Sequence, residues 1–400
     1  MTMRVVLNVT SSADWHKLPV GIIRVEREVT KAIYSQFGEG LVPVYLDREQ
    51  ERWMTLDDGC FKDLMSDSWI SKETSKNDSV NIQRYLSSFT PKNDDRFVTV
   101  GSDWSFNVPD KVEELYGAKR VLVPACYDLI PLILPEFAPG TEFYDQFDYH
   151  YRAVARLARS VFAISEVSAR SLQDFWKEKG LDGVAPPVEV VPLAAPARGD
   201  ILAALNDNDQ DIFDEISDGE PYAIYVSTLE PRKNHQLLLD IWRELFEERG
   251  EKCPKLLIVG AQGWGCGDLV RSMSRMVATN AGKILWREGL SDALLSRLYT
   301  QSAFAVFPSY FEGWGLAATE AAALGKICVV STAGALVEAT RGLMPSYHPL
   351  DFLAWKQEIS RLFDDESYRK LLESRLKSKH LQRTWNDFGV EFCLKFLSGQ

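Results

Sequence analysis

Residues 302–334 restrict the fold more than any other stretch of this chain: they read AFAVFPS, then YFEGWGLAATEAAALG, then KICVVS. Residues 303–307 and 327–330 are short, continuous apolar runs, the pattern of parallel strands covered on both faces. Between them a loop, Glu312-Gly313-Trp314-Gly315, feeds a helix expected over 316–324. That helix carries alanine all round, so it is expected to be buried on every side.

Two glycines just before a helix leave amides free where the dipole is positive. Such an end binds anions, phosphates above all. Glu320 lies about a turn and a half into the same helix, and a buried carboxylate needs a partner. A backbone amide or a core arginine would serve for a lone glutamate. A hydroxylated ligand would serve as well, and Glu312, seven intervening residues earlier, is aimed at the same space. Two carboxylates and an amide-rich helix end together point to a sugar nucleotide.

With 400 residues, 46% of them hydrophobic, the chain can bury ample core and divides into about two domains. A net charge of −12 argues against general nucleic-acid binding, which needs a broad basic surface. The six cysteines are scattered without a C-x-x-C pair, several of them in apolar runs, and read as packed thiols of a reducing cytoplasm. No run of about 18 apolar residues suggests a membrane span.

In chain order, residues 3–9 read as a strand, 20–37 as a helix with Gly21 at its mouth, and 41–46 as a strand. Arg24, Arg27 and Lys31 share one face of that helix, expected to be solvated. Residues 47–91 are polar and weakly patterned, and no element is assigned there. Strands at 96–101, 120–126 and 161–164 alternate with helical patterns, which means a parallel sheet with crossover helices. Each strand end delivers a polar cluster: Ser102-Asp103-Trp104, Tyr127-Asp128 and Ser165-Glu166. Ligands of open α/β sheets bind beyond the carboxyl ends of the strands, so these clusters are acceptor-side candidates.

Residues 193–218 have linker composition. Asp207-Asn208-Asp209 imitates a D-x-D metal motif but follows no strand, and no metal site is expected. A second α/β unit begins at Tyr222, with a glycine loop at 260–265 read as a tight turn rather than a dinucleotide fingerprint. The five histidines show no metal-ligand spacing. The basic run at 368–385, with Arg369, Lys370, Arg375, Lys377 and Lys379, reads as a solvated helix face, and a last apolar helix is expected over 388–397.

The E-x7-E spacing of Glu312 and Glu320, the flanking Pro308-Ser309 and the glycines resemble the signature of family-4 retaining glycosyltransferases. The resemblance covers nearly the whole chain, most clearly residues 222–330. It implies an α/β, GT-B fold: two Rossmann-like domains facing across a cleft, with the C-terminal helix crossing back to the first. The domains would be 1–195, on the acceptor side, and 219–383, holding the nucleotide sugar. They would be joined by a linker over 196–218, with the returning helix at 384–400.

T-L-E-P-R-K-N at 228–234 resembles the phosphate-binding turn of that family, which implies that Lys233 contacts the diphosphate. Preorganised cations and helix-end amides stabilise a departing diphosphate without a metal. Many relatives carry Gly-Arg where this chain has Val226-Ser227, so Arg232 is the candidate to replace the missing cation. By the same resemblance Glu312 bonds hydroxyls of the donor sugar, and Gly313, Trp314, Gly315 and Leu316 supply amides. Glu320 takes the ribose, while Leu290, in the loop 286–291, and Ser227 border the donor. Y-D-L-I-P-L at 127–132 is similar to a family H-D-L-I-P segment, with Tyr127 in place of histidine. Asp128 joins the catalytic candidates; Gly21, Asp103, Trp104, Tyr127 and Ser165 make up the acceptor side.

The activity so implied is retaining, metal-independent and cofactor-free hexosyl transfer. The features look most like bacterial mannosyl- and rhamnosyltransferases of O-antigen, capsule or exopolysaccharide synthesis. GDP-mannose is the expected donor, with dTDP- or UDP-sugars as alternatives. The expected partners are a glycan or lipid-linked acceptor met at the inner membrane face by a cytoplasmic protein, and no nucleic acid. The rivals are a sugar-nucleotide epimerase and a non-catalytic nucleotide-sugar-binding subunit.

Overall fold

A computed structural model of the chain describes residues 3–15, 21–66, 82–195, 204–279, 282–379 and 383–398. The chain forms two compact units. Residues 1–133, 140–194 and 385–400 make the first; residues 134–139 and 195–384 make the second.

In unit 1, eight strands run in chain order: β1 (Arg4–Asn8), β2 (Leu41–Asp47), β3 (Arg52–Leu56), β4 (Leu86–Ser88), β5 (Asp95–Thr99), β6 (Leu122–Cys126), β7 (Val161–Ala163) and β8 (Val188–Val190). They form one sheet in the order β4-β3-β2-β1-β5-β6-β7-β8. Val6 of central β1 stands beside Val42 and Phe97, and β1 is covered on both faces, which is why it reads as an unbroken apolar run. β3 and β4 pair antiparallel, so the sheet is mixed where a parallel one was expected. These strands lie in the 47–91 stretch to which no element was assigned. β4 has three residues, and what anchors β3 is the buried Trp53, whose indole donates to the Lys111 carbonyl.

Helix Gly21–Phe37 packs Val25, Val29 and Ile33 inward. Arg27, expected on a solvated face with Arg24 and Lys31, is buried instead: its guanidinium donates to the carbonyls of Ser12 and Trp15. The C-terminal helix Trp385–Phe392 and a π-helical turn, Cys393–Leu397, belong to unit 1. Phe388, Phe392 and Phe396 meet the ring of Phe162 edge-on. Gly389 lies on helix Gly21–Phe37 so closely that a Cβ there would stand 2.9 Å from the Ala32 carbonyl oxygen.

Unit 2 holds a parallel sheet of β9 (Tyr222–Val226), β10 (Lys255–Val259), β11 (Ile284–Arg287), β12 (Phe304–Phe307), β13 (Cys328–Ser331) and β14 (Ser346–Tyr347). Its order is β11-β10-β9-β12-β13-β14. Ile224 at its centre stands between Leu257 and Ala305, and Trp242, Trp355 and Phe304 are buried in the core of the unit. The segment read as a linker is partly ordered: Asp207–Ile216 is a helix, capped by the Asn206 side chain accepting from the Asp209 amide. Residues 196–203 of that segment lie outside the described residues. No helix among the described residues is long and apolar enough to cross a membrane.

Candidate functional site

In unit 2 the loops leaving β9, β10, β12 and β13 issue from one edge of the sheet, because parallel neighbours share their carboxyl end. The loop after β9 is held first by backbone. Ser227 N–H donates to Val259, and Gly263 N–H donates to Leu229. The glycine loop at 260–265 presses on this segment: a Cβ on Gly260 would lie 2.0 Å from the Ser227 oxygen, and one on Gly263 2.9 Å from the Leu229 oxygen. Its glycines therefore serve close backbone packing under the loop that carries Arg232 and Lys233.

Pro231–Lys233 forms a 3-10 turn ended by Asn234 in the left-handed conformation (φ 55°). Asn tolerates that region better than most residues. Its side-chain amide donates to the carbonyls of Pro308 and Pro349, tying the turn to the loop after β12. The Tyr225 hydroxyl donates to the Lys233 carbonyl at 2.6 Å. His235, the first residue of helix His235–Arg249, is buried against the Tyr225 ring, and neither of its ring nitrogens has a hydrogen-bond partner. Burial, helped by the Lys233 charge, pushes its pKa down to about 3, so the ring is neutral.

The turn brings two cations onto one carboxylate. Lys233 Nζ lies 2.6 Å from Glu312 Oε1, and an Arg232 guanidinium nitrogen lies 3.0 Å from Oε2. Ser309 Oγ donates to Oε1 at 2.7 Å, while Arg232 also donates to the Phe311 carbonyl at 2.6 Å. Burial by itself would raise the Glu312 pKa, but Arg232 and Lys233 outweigh it and hold the carboxyl at about 2. Burial lowers the Lys233 pKa, against the pull of Glu312. The Glu312 backbone is fixed from behind by Ala335 N–H, and Gly334 (φ 72°) has no room for a side chain: a Cβ would stand 2.5 Å from the Glu312 N and O. Arg232 also pairs with Glu230 at 3.5 Å, so two cations share two carboxylates beside a helix amino end, where an anionic group can compete for the cations.

Helix Leu316–Ala323 begins after Gly315, whose φ of 102° and 2.4 Å approach to Leu336 Cδ2 require glycine. The helix is not buried all round. Ala318, Thr319, Ala321, Ala322 and Ala323 are buried, but Leu316, Ala317 and Glu320 are half-buried. Glu320 therefore sits on a partly open face, one turn after Leu316, and not in the core. An alanine-rich helix looks alike on all sides in sequence, and the pattern does not tell which side is left open. Trp314 is buried with an indole N–H that has no hydrogen-bond partner. Leu290 is half-buried, just before Ser291, which caps helix Asp292–Gln301.

In unit 1 most acceptor-side candidates turn inward. Asp103 and Trp104 are buried, and the Tyr127 hydroxyl donates to the Val100 carbonyl at 2.5 Å. Ser165 is fully buried and caps helix Glu166–Glu178 by accepting from Ser168 N–H. Its place at a strand end reflects the start of that helix. Only Gly21, exposed with φ 52°, and Asp128, half-buried and accepting from Ile130 N–H, face outward to any degree. Glu26, which drew no attention in the sequence, is fully buried here; a glutamate on the apolar spacing of a helix was the available signal.

Asp209 of the D-x-D imitation accepts from Ser291 Oγ at 2.7 Å and from Asn206 Nδ2 at 3.1 Å, as part of a helix cap. Among the described residues no group of three or more His, Cys, Asp or Glu side chains is placed to hold a metal ion.

Residues 207–374 match the family described as "Glycosyl transferases group 1". Over 166 residues the chain is 31% identical to O-antigen chain mannosyltransferase B of Escherichia coli, covering 42% of this chain and 43% of that protein. Over 300 residues it is 23% identical to the serotype-specific mannosyltransferase WbdA of Escherichia coli, covering 75% of this chain and 34% of that protein. The chain thus spans less than half the length of these curated relatives. Among solved structures, Anabaena HepE in complex with UDP-glucose is 14% identical, with a TM-score of 0.64 over 98% of this chain and 100% of that one. At that identity the likeness establishes the fold alone, a two-domain α/β fold of the GT-B class.

Proposed function

We propose, from the premise that residues 207–374 form a glycosyl transferases group 1 domain, that the chain transfers a hexosyl group from a nucleoside diphosphate sugar to a glycan or lipid-linked glycan. The observation that carries this is the Lys233–Glu312–Arg232 cluster at the carboxyl ends of β9 and β12. Lys233 and Arg232 take the diphosphate, whose charge grows as the glycosidic bond to the sugar breaks. When phosphate replaces Glu312 as partner of the cations, the carboxylate turns to the hydroxyls of the sugar. Amides of Gly313 to Leu316 complete the phosphate cradle, and Glu320, on its open face, takes the ribose. Ser227 and Leu290 border the donor, and Asp128 with Gly21 face the acceptor.

Mannose from GDP-mannose is the donor we favour, because the sequence relatives are mannosyltransferases. Transfer with retention, independent of metal, onto a surface-polysaccharide precursor at the inner face of the cell membrane completes the reading. The test is release of nucleoside diphosphate from GDP-mannose with and without octyl α-mannoside as acceptor, with the product anomer read by NMR. Release that needs the acceptor, with an α product, supports the reading. Conversion of the sugar without acceptor would make the protein an epimerase, and binding without turnover of any nucleotide sugar would make it a non-catalytic subunit.

A further inference from the structure

Beneath the carboxyl edge of the unit 1 sheet lie two buried carboxyls that the transfer chemistry above does not use. Glu26, on helix Gly21–Phe37, is 0% exposed, and Asp103, on the turn after β5, is 2% exposed. Each has one oxygen accepting a short hydroxyl bond: Glu26 from Ser12, Asp103 from Thr99. The other oxygen of each, Glu26 Oε1 and Asp103 Oδ2, has no hydrogen-bond partner. A buried carboxylate with an unpaired oxygen is costly, and the usual outcome is that it keeps a proton. Gly101 shows how tightly the site is built: a Cβ there would lie 2.3 Å from Ser11 Oγ and 2.7 Å from Glu26 Oε1.

We propose that Glu26 and Asp103 are a proton-holding pair that positions the turn Thr10–Ala13 of unit 1 against helix Gly21–Phe37, the helix that begins at Gly21. They are positioning residues. The Ser12–Glu26 bond ties that turn to helix Gly21–Phe37, and Ser11 on the same turn accepts from the Ser102 amide at 2.9 Å. Asn8 extends the network: its side chain donates to Thr99 Oγ1 at 3.1 Å and accepts from Thr10 N–H and Oγ1. The other charged or titratable groups facing the pair are Arg27 on the same helix and the phenols of Tyr127 and Tyr151. The C-terminal helix meets helix Gly21–Phe37 farther along, at Ala32.

Burial, partly opposed by Ser12 and reinforced by Asp103, pushes Glu26 to about 8, and burial pushes Asp103 to about 7. Both carboxyls hold protons in the folded chain at a pH where the unfolded chain has released them. Their contribution is full below about pH 4 and is lost as pH rises through 7 to 8. As the protons leave to solvent, buried negative charge accumulates and the Thr10–Ala13 turn loosens.

The link to the acceptor rests on the function proposed above, whereas the proton pair itself does not. Urea unfolding of the full chain, Glu26→Gln and Asp103→Asn is compared from about pH 5 to 9. For each retained proton the wild-type folding constant falls up to about tenfold per pH unit. Glu26→Gln, an isostere that needs no proton, flattens that slope and is more stable than wild type at about pH 9. In transfer assays the wild-type KM for octyl α-mannoside climbs between about pH 7 and 9, the KM for GDP-mannose does not, and the climb disappears in Glu26→Gln. Slopes parallel to wild type in both variants overturn the proposal; if one variant fails to fold, the other decides. A flattened slope in a protein that transfers no sugar would remove the proposed function and leave the proton pair standing.

Discussion

Replacing Glu312 with glutamine keeps the shape of the Lys233–Glu312–Arg232 cluster and removes the carboxylate charge that both cations share. The carboxyl is held at about 2, against an ordinary value of 4.5. At about 1.36 kcal/mol per pKa unit, the difference corresponds to roughly 3 kcal/mol of stability at neutral pH. The sign follows from the direction. A depressed carboxyl stabilises the folded chain above its unfolded pKa, and that stability is lost as pH falls through 4.5 toward 2; about half remains near pH 3. Lys233 works the other way, since its burial disfavours the charged ammonium. The figure of about 3 kcal/mol is therefore a ceiling, and a loss of about 2 to 3 is expected for Glu312→Gln near pH 7. For a unit of this size each kcal/mol moves the melting midpoint by roughly 2 to 4 °C, so the variant should melt about 4 to 12 °C lower.

The same substitution separates binding from turnover. With the carboxylate gone, the two cations face each other and gain more from an arriving diphosphate. GDP is expected to raise the midpoint of Glu312→Gln at least as much as that of wild type, while transfer falls because the sugar hydroxyls lose their charged partner. The assay is a thermal melt at about pH 7 and about pH 3, with and without GDP, beside a steady-state rate. An equal gap between variant and wild type at both pH values would refute the electrostatic account, and weaker GDP binding by the variant would refute the exchange of partners.

Gly334→Ala is expected to cost about 1 to 3 kcal/mol and most of the activity, because φ 72° and the 2.5 Å approach to the Glu312 backbone leave no room for a methyl group; denaturation and rate measurements check both. Glu320→Ala should raise the KM for the nucleotide sugar, and an unchanged KM would take it out of the site. Lys233→Ala should greatly reduce turnover with the fold intact, as read by circular dichroism beside the rate. Transfer should survive EDTA; loss restored by manganese would direct attention back to Asp207 and Asp209.

What was legible in the sequence was whatever period and composition encode. β9, β10, β12 and β13 are continuous apolar runs because both faces of a parallel sheet are covered, and the glycines before residue 316 mark a helix start. The pairing of Lys233 with Glu312 was not legible, since 79 residues separate them and only the order β9-β12 in the sheet brings their loops together. Burial of single polar side chains was equally hidden. Arg27 reads as surface from its spacing and is buried by the carbonyls it satisfies, and Ser165 reads as a ligand contact and is a helix cap. A strand end and a helix start coincide in α/β units, so a polar residue there has two explanations of equal spacing. Geometry alone separates them.

The two carboxyl environments of this chain carry opposite pH dependence for one physical reason. Burial raises the cost of charge at Glu312, Glu26 and Asp103 alike. At Glu312 two cations arrive on a neighbouring loop and reverse it. At Glu26 the opposing pull of Arg27 is small beside the effect of burial, so burial wins. Unit 2 therefore gains stability as pH rises from about 2 to 4.5, and unit 1 loses it as pH rises toward 8. Arg232 and Lys233 hold Glu312 ionised, and its charge in turn opposes the loss of the Lys233 proton that burial favours.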